Sequence, residues 1–337
     1  MGNLDVKVKI DLAKPIGKVG FGIPLILEEN ATTKKSYTEC ESLADVVTAG
    51  FAATSTVYKA ANLIFMQEDA PKTIAVCATD ETAQAWLGVA DNVAESWRQL
   101  IVVTESETET SISGIMTAIE TLDGKMYYAS LAADDSTTLT VANINRTVLF
   151  YCSGNSGVAT GYEVAALVGA TAGKNPGSIT YKNQVLKGIS PQSLTNSQIK
   201  AIHDKGGLTF VTKAGDNVTT EGKVASGEYI DIIDSQDYVI QQLEYKTQKI
   251  LNNSGKIPYD NNGIAMLEAV AVEVLKDAYN NGIIAEENGK PAYTINYALR
   301  EDTTESDRKA RKYAGGQFSF KLSGAVHTVE ITGEITV

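Results

Sequence analysis

The chain has 337 residues, 43% of them hydrophobic and 21% charged, and its 41 acidic against 29 basic side chains leave a formal charge of −12. That composition belongs to a globular chain long enough to bury a sizeable core, in two compact units, and it argues against disorder. A surface of that sign repels phosphates, which argues against a groove for DNA or RNA, and without a run of 18 apolar residues no membrane-spanning helix is expected.

The first ten residues, MGNLDVKVKI, hold no continuous apolar segment and no small-residue cleavage site, so no secretory signal is expected. Val6 stands where a myristoylation signal needs Ser or Thr. Leu4, Val6, Val8, Ile10 and Leu12 alternate with Asp5, Lys7, Lys9 and Asp11, the period-2 pattern of a strand with one apolar and one polar face. Pro15 and Gly17 break it, and the apolar run 21–27 (FGIPLIL) opens the next element.

Between residues 41 and 67, Leu43, Val46, Val47, Val57, Ala61, Ile64 and Phe65 recur at helical spacing. Short β-rich runs follow at 73–78 (TIAVCA), 100–104 (LIVVT), 126–130 (MYYAS), 148–153 (VLFYCS) and 208–212 (LTFVT). Helical stretches near 81–97, 110–122, 158–171 and 195–205 separate most of them. Strand alternating with helix predicts βαβ units, hence an α/β fold around a mainly parallel sheet covered on both faces. Residues 218–225 read as a further strand. Residues 229–251 then form an amphipathic helix with Ile233, Tyr238 or Val239, Leu243, Thr247 and Ile250 on one face. Asp260 or Asn261 caps a second helix, through Ile264, Leu267, Val270, Val274 and Ala278, and Gly282 stops it. Phe318, Phe320 and Leu322 alternate, Ser323 and Gly324 turn the chain, and Val329, Ile331, Ile335 and Val337 alternate again opposite Thr328, Glu330, Thr332, Glu334 and Thr336.

No catalytic or cofactor signature emerges. Cys40, Cys77 and Cys152 are too far apart for a zinc knuckle or a disulfide framework and read as small buried hydrophobes. His203 and His327 are too few for a multi-histidine metal site. Residues 169–174 (GATAGK) approach a phosphate loop but have the wrong glycine spacing, Asn175 where magnesium needs Ser or Thr, and a helix before them; a helix end and turn fits better. Gly20 and Gly22 lack the third glycine of a dinucleotide fingerprint, and Gly154 to Gly157 lacks the spacing of a nucleophile elbow. Asp134–Asp135 and Glu286–Glu287 read as solvated surface. We therefore expect no catalytic residue, cofactor or metal. One basic cluster stands out on an acidic chain, Arg308, Lys309, Arg311 and Lys312, preceded by Asp302, Glu305 and Asp307. It reads either as a solvated helix turn with local ion pairs or as a contact for an acidic partner.

Three stretches resemble short contractile-tail sheath proteins, including those of phage-tail-like bacteriocins. They are 227–238 (GEYIDIIDSQDY) continuing through 256–260 (KIPYD) to 263–285, then 306–333 from SDRKARK to the C-terminal strand, and 165–188 with its Ala/Gly turn, Pro176 and following strand. The resemblance implies a non-enzymatic subunit that stacks as six-membered rings around a tail tube and contracts. It implies contacts with further copies, the tube protein and baseplate and terminator proteins, without direct nucleic-acid binding or membrane insertion. The expected location is a virion tail or tail-like particle, assembled in the host bacterial cytoplasm.

The domains implied are an N-terminal arm and lead-in at 1–24, an α/β domain at 25–215 with its outer part within about 80–150, an inner α+β domain at 216–324, and a C-terminal arm at 325–337. The arms add strands to a sheet in neighbouring subunits through Leu4, Val6, Val8, Ile10, Leu12, Val329, Ile331, Ile335 and Val337. Lys7 and Lys9 would then meet Glu330 and Glu334 across the new sheet, and Arg308, Lys309, Arg311 and Lys312 would touch the tube. Two other readings fit the same residues. One is a terminator or baseplate ring component with a sheath-like fold; the other is an α/β enzyme or small-molecule binder with its site at the C-terminal ends of the strands.

Overall fold

A computed structural model describes residues 22–105, 112–135, 139–153 and 161–327. Of the N-terminal arm and lead-in expected at 1–24, residues 1–21 lie outside the described residues and Ile23 and Pro24 already belong to the first strand; of the C-terminal arm expected at 325–337, residues 328–337 lie outside them. The chain opens with β1 (Ile23–Glu28) and β2 (Lys35–Cys40), then α1 (Leu43–Thr48), α2 (Thr56–Phe65) and β3 (Ile74–Ala78). Next come α3 (Ala83–Leu87), α4 (Ala90–Val93), β4 (Trp97–Val103), α5 (Ile112–Ile119), β5 (Met126–Leu131) and β6 (Thr147–Tyr151). After α6 (Val164–Thr171) and α7 (Asn196–Asp204), the hairpin β7 (Gly207–Lys213) and β8 (Asp216–Thr219) completes an eight-stranded sheet.

The strand order is β2-β3-β1-β4-β5-β6-β7-β8. The six strands from β3 to β7 run parallel, and β2 and β8 close the two edges antiparallel. This is the mainly parallel sheet expected from the alternating elements. Its strands read as unbroken apolar runs because both faces are covered. Ile26, Val76, Ile101, Tyr128 and Phe150 face one core with α2 and α6; Leu27, Cys77, Leu100, Tyr127 and Leu149 face the other with α3 and α5.

The GATAGK stretch earns its glycines by packing. Every residue of α6 is buried, and a Cβ on Gly169 would stand 2.7 Å from the Ile64 backbone, so glycine lets α6 lie directly on α2. Gly173 follows the helix end, where a Cβ would meet the Asp69 carbonyl at 2.2 Å. The helix end and turn inferred from the failed phosphate-loop spacing is what stands there.

The C-terminal part is α+β. Helix α8 (Ile230–Asn253) packs on α9 (Asn261–Asn280), followed by short strands β9 (Glu286–Glu287) and β10 (Lys290–Pro291), then β11 (Tyr293–Tyr297), a 3-10 turn (Arg300–Asp302), α10 (Glu305–Ala310) and β12 (Gly316–Phe320). Asp260 caps α9 by accepting from the Gly263 N–H at 3.0 Å, and Gly282 follows its end at φ +80°. Val239, Val270, Val274, Leu275 and Ala278 form a separate small core, with Leu243 and Ile250 half-buried against it. The face expected on α8 is thus divided: Ile230 and Ile233 enter the core of the large sheet, and only the later residues meet α9.

Three local expectations change. The helix expected across 81–97 breaks at Gly88, and Trp97 already belongs to β4. The strand expected at 218–225 stops at Thr219, because the chain turns against Tyr181, where a Cβ on Gly222 would stand 2.9 Å from the Lys182 nitrogen. The alternation through Leu322 ends as a strand at Phe320, with Leu322 held by a single bridge to Ile284. No helix among the described residues is long and apolar enough to cross a membrane.

Candidate functional site

In a doubly wound sheet the natural ligand crevice lies at the C-terminal strand ends, where the strand order reverses and helix N-termini point inward. That reversal falls beside β1 here, and the chain's own carboxylates occupy it. Glu105, just past β4, accepts hydrogen bonds from the backbone N–H and the hydroxyl of Thr56 at the start of α2. Glu29, just past β1 and 2% exposed, accepts from the Ala83 N–H at the start of α3, 2.8 Å away. Both helix N-termini are therefore satisfied from within. Cys40, Cys77 and Cys152 are buried free thiols, and burial pushes each well above its usual pKa, to about 11, 11 and 12. Such thiols lack the thiolate character of a nucleophile or metal ligand.

A cleft of about 310 Å³ opens elsewhere, between residues 177–180, the first turns of α8 and Leu322 to Ala325. None of its lining residues belongs to the large sheet, and the densest charged network among the described residues lies beside it, where α8 meets that sheet. Arg98 of β4, with its side chain 4% exposed, donates from Nη2 to Asp234 at 2.5 Å and from Nη1 to Asp237 at 2.7 Å. Arg146, just before β6, grips Asp237 with both guanidinium nitrogens, at 2.5 and 3.0 Å. The Tyr181 hydroxyl donates to the other oxygen of Asp234 at 2.6 Å. Burial alone would raise the Asp237 pKa, but Arg98 and Arg146 outweigh it and hold the carboxyl below its ordinary value. Burial, reinforced by Asp234, raises the Tyr181 phenol far above its ordinary value, so it stays a donor.

Asp234 and Asp237 are one helical turn apart, which sets both carboxylates on the α8 face turned to the sheet. The network fastens the long C-terminal helix to the N-terminal ends of β4 and β6. Removing one partner would strand a buried charge at a cost of about 3–5 kcal/mol. Sequence reasoning missed this arrangement. The available signals were an arginine opening the apolar run WRQLIVV and two aspartates on the apolar-flanked face of GEYIDIIDSQDY.

Of the site residues expected from sequence, Leu4, Val6, Lys7, Val8, Lys9, Ile10 and Leu12, and Val329, Glu330, Ile331, Glu334, Ile335 and Val337, lie outside the described residues. The basic cluster is described, and its members differ. Arg308 turns back on its own loop, donating to the carbonyls of Arg300 (3.1 Å) and Thr303. Lys309 forms an exposed ion pair with Glu305 at 2.7 Å. Arg311, in the left-handed conformation at φ +54° that ends α10, and Lys312 are exposed. Close by, β11 and β12 form a two-stranded antiparallel sheet. Tyr293, Ile295 and Phe320 pack on the small core of α8 and α9, Phe318 opposite Ile295 stays exposed, and both outer edges lack a strand partner among the described residues.

Residues 230–335 match the family described as E217 tail sheath protein gp31-like, C-terminal domain. No curated protein matches the chain in sequence. The fold as a whole is similar to a chain in the baseplate of the anti-feeding prophage (15% identity, TM-score 0.75, 98% of each chain covered). It is also similar to a chain of the contracted sheath complex of PVC, an extracellular contractile injection system (10% identity, TM-score 0.72, 99% of this chain and 97% of that one). A sheath tail protein from Listeria innocua matches less closely (11% identity, TM-score 0.51, 83% and 89% covered). The resemblance read from sequence is borne out over residues 230–335 by the family match, and the similarity to solved structures extends the shared fold over the whole chain.

Proposed function

We propose that this chain is the sheath subunit of a contractile tail or tail-like particle. Copies stack as six-membered rings around a tail tube and contract to drive it through an envelope. The observation that carries the reading is the shared fold from end to end with chains of contractile particles, together with the sheath-type match over residues 230–335. The role is structural, and it fits the closed switch point, where Glu105 and Glu29 accept from the first N–H groups of α2 and α3.

The β11–β12 sheet supports the assembly reading on physical grounds. Two short strands are marginal alone and need further strands or a helix to hold them. With α9 on one face, the two bare edges are the places where alternating segments such as 4–12 and 329–337 can pair. Main-chain hydrogen bonds would supply affinity there, and the alternate apolar residues register. Buried fully, each Val or Ile would contribute about 1.5–3 kcal/mol before ordering costs.

Partners follow from this reading: further copies, a tube protein, and baseplate and terminator proteins, in a virion tail assembled in the bacterial cytoplasm. A second reading, a ring component that does not propagate, is favoured by one observation, the similarity to a chain in a baseplate. Negative-stain microscopy of the purified protein separates them. Long striated tubes are expected; single closed rings support the second reading, and monodisperse particles at high concentration overturn both.

A further inference from the structure

The cleft of about 310 Å³ beside the start of α8 is small and firmly walled. Its volume falls at the lower end of small-molecule sites, about 300–1,000 Å³. Gly177, in the left-handed region at φ +82°, lies so close to the end of α9 that a Cβ would stand 2.4 Å from Ile283 Cγ1 and 2.8 Å from the Ile283 nitrogen. Ile179, Ile232, Ile283 and Leu322 supply the apolar lining.

Two polar side chains of α8, one turn apart, interrupt that lining: Asp231 and Ser235. Asp231 is the one charged residue among those that line the cleft. Its carboxylate accepts from the Ile232 N–H at 3.0 Å, within its own turn, and forms no ion pair among the described residues. Burial raises its pKa above the ordinary value, against the opposing effects of the Ile232 N–H and His327. Ser235 is 4% exposed, and its hydroxyl makes no hydrogen bond among the described residues. The other titratable groups nearby are engaged elsewhere. His327 turns its ring nitrogens to the Thr180 hydroxyl at 2.9 Å and to Glu221 at 3.5 Å, and its carbonyl takes the Lys182 ammonium. Lys223 lies over the Tyr229 ring, and Asp234 is held by Arg98 and Tyr181.

We propose that the cleft binds a small aliphatic ammonium, its charged head between Asp231 and Ser235 and its hydrocarbon chain along Ile179, Ile232, Ile283 and Leu322. An anion would be repelled by Asp231, and a purely apolar molecule would leave a desolvated carboxylate still without a partner. An ammonium carries three donors and no acceptor, which suits a carboxylate beside an unpaired hydroxyl. A guanidinium suits the site less well. Its planar fork calls for both oxygens of a carboxylate, and one oxygen of Asp231 already accepts from Ile232. A free amine is the better occupant than a lysine of a second copy, because copies of charge −12 repel one another while a small cation is drawn in. None of this depends on the sheath reading.

Ligand-observed saturation-transfer NMR on the full chain tests the site, with n-butylammonium as the probe and n-butanol and butyrate as neutral and anionic controls at matched ionic strength. Saturation should reach the butylammonium methylenes and neither control. Asp231→Asn should weaken butylammonium binding about tenfold, the loss of one charged hydrogen bond, and Ser235→Ala about threefold. Melting temperatures taken alongside show that each variant is folded; Ser235→Ala, which removes a single oxygen, keeps the test open if Asp231→Asn is not. Equal transfer to butanol would make the cleft a mere apolar hollow and overturn the proposal. So would butylammonium binding that both variants leave unchanged, which would put the amine elsewhere on the acidic surface, or no transfer to butylammonium at all. A signal that fades as subunit concentration rises would make a second copy's lysine the occupant and overturn the free amine.

Discussion

At the scale of single residues, two carboxylates on one helix face have opposite fates. Asp237 of α8 meets two guanidinium groups and stays charged. Glu244, two turns further on, is 5% exposed with neither oxygen hydrogen-bonded, and burial, together with nearby Asp123, pushes its pKa up to about 7. A carboxyl raised in the folded state binds its proton more tightly there than in the unfolded chain. Its presence therefore favours folding at low pH, and that advantage is lost as pH rises from the ordinary carboxylate range through about 7. We predict that Glu244→Gln stabilises the subunit by roughly 1–2 kcal/mol at pH 8 and has little effect at pH 5. Urea unfolding at the two pH values checks this; an equal effect at both would show that Glu244 is already ionised in the folded chain. His327 illustrates what sequence cannot reach at this scale. Read alone it has no partner nearby, yet Thr180, Glu221 and Tyr229 converge on it from 98 to 147 positions away.

At the scale of elements, an arm and a core strand make opposite demands. A strand inside a sheet cannot be removed without opening the core, whereas an arm contributes its apolar face elsewhere. The large sheet already has antiparallel strands β2 and β8 at its two edges. Deleting residues 1–13 should therefore leave a soluble, folded subunit with an unchanged melting temperature that no longer forms tubes. Aggregation or unfolding of the truncated chain would place that strand in its own subunit's sheet. The elements that sequence revealed are those whose burial is one-sided in kind: IPLIL, IAVCA and TVLFY lie in parallel strands covered on both faces, so hydropathy alone marks them. Strand β2, KSYTEC, escaped because an edge strand keeps polar residues along its length, and β11, YTINY, because half its face is solvent. The clearest loss was Arg98. It falls between the helix expected to 97 and the strand expected from 100, and only the approach of α8 turns it into a buried ion pair.

At the scale of the whole molecule, the proposed function asks an acidic subunit to grip a tube and later release it, which needs a contact that is polar and reversible. A large dry interface would resist release and leave an apolar lining exposed afterwards. The basic segment around α10 meets that requirement in part. Arg308 already serves its own loop, so truncating it would confound grip with folding. Lys309, Arg311 and Lys312 are exposed, and the Lys309–Glu305 pair is a surface contact contributing about 0–1 kcal/mol, easily exchanged for an acidic partner. Replacing these three with Ala, with Arg308 retained, should leave the melting temperature within a degree or two, a shift of well under about 1 kcal/mol. Empty sheath tubes should still form, because the proposed function assigns them to arm contacts, while co-assembly on the tube is lost. Raising salt toward 1 M, where screening acts beyond about 3 Å, should push natural particles toward the contracted or empty form in the same direction. A triple-Ala sheath that still assembles extended on its tube, with natural salt sensitivity, would place the grip on another surface of the subunit.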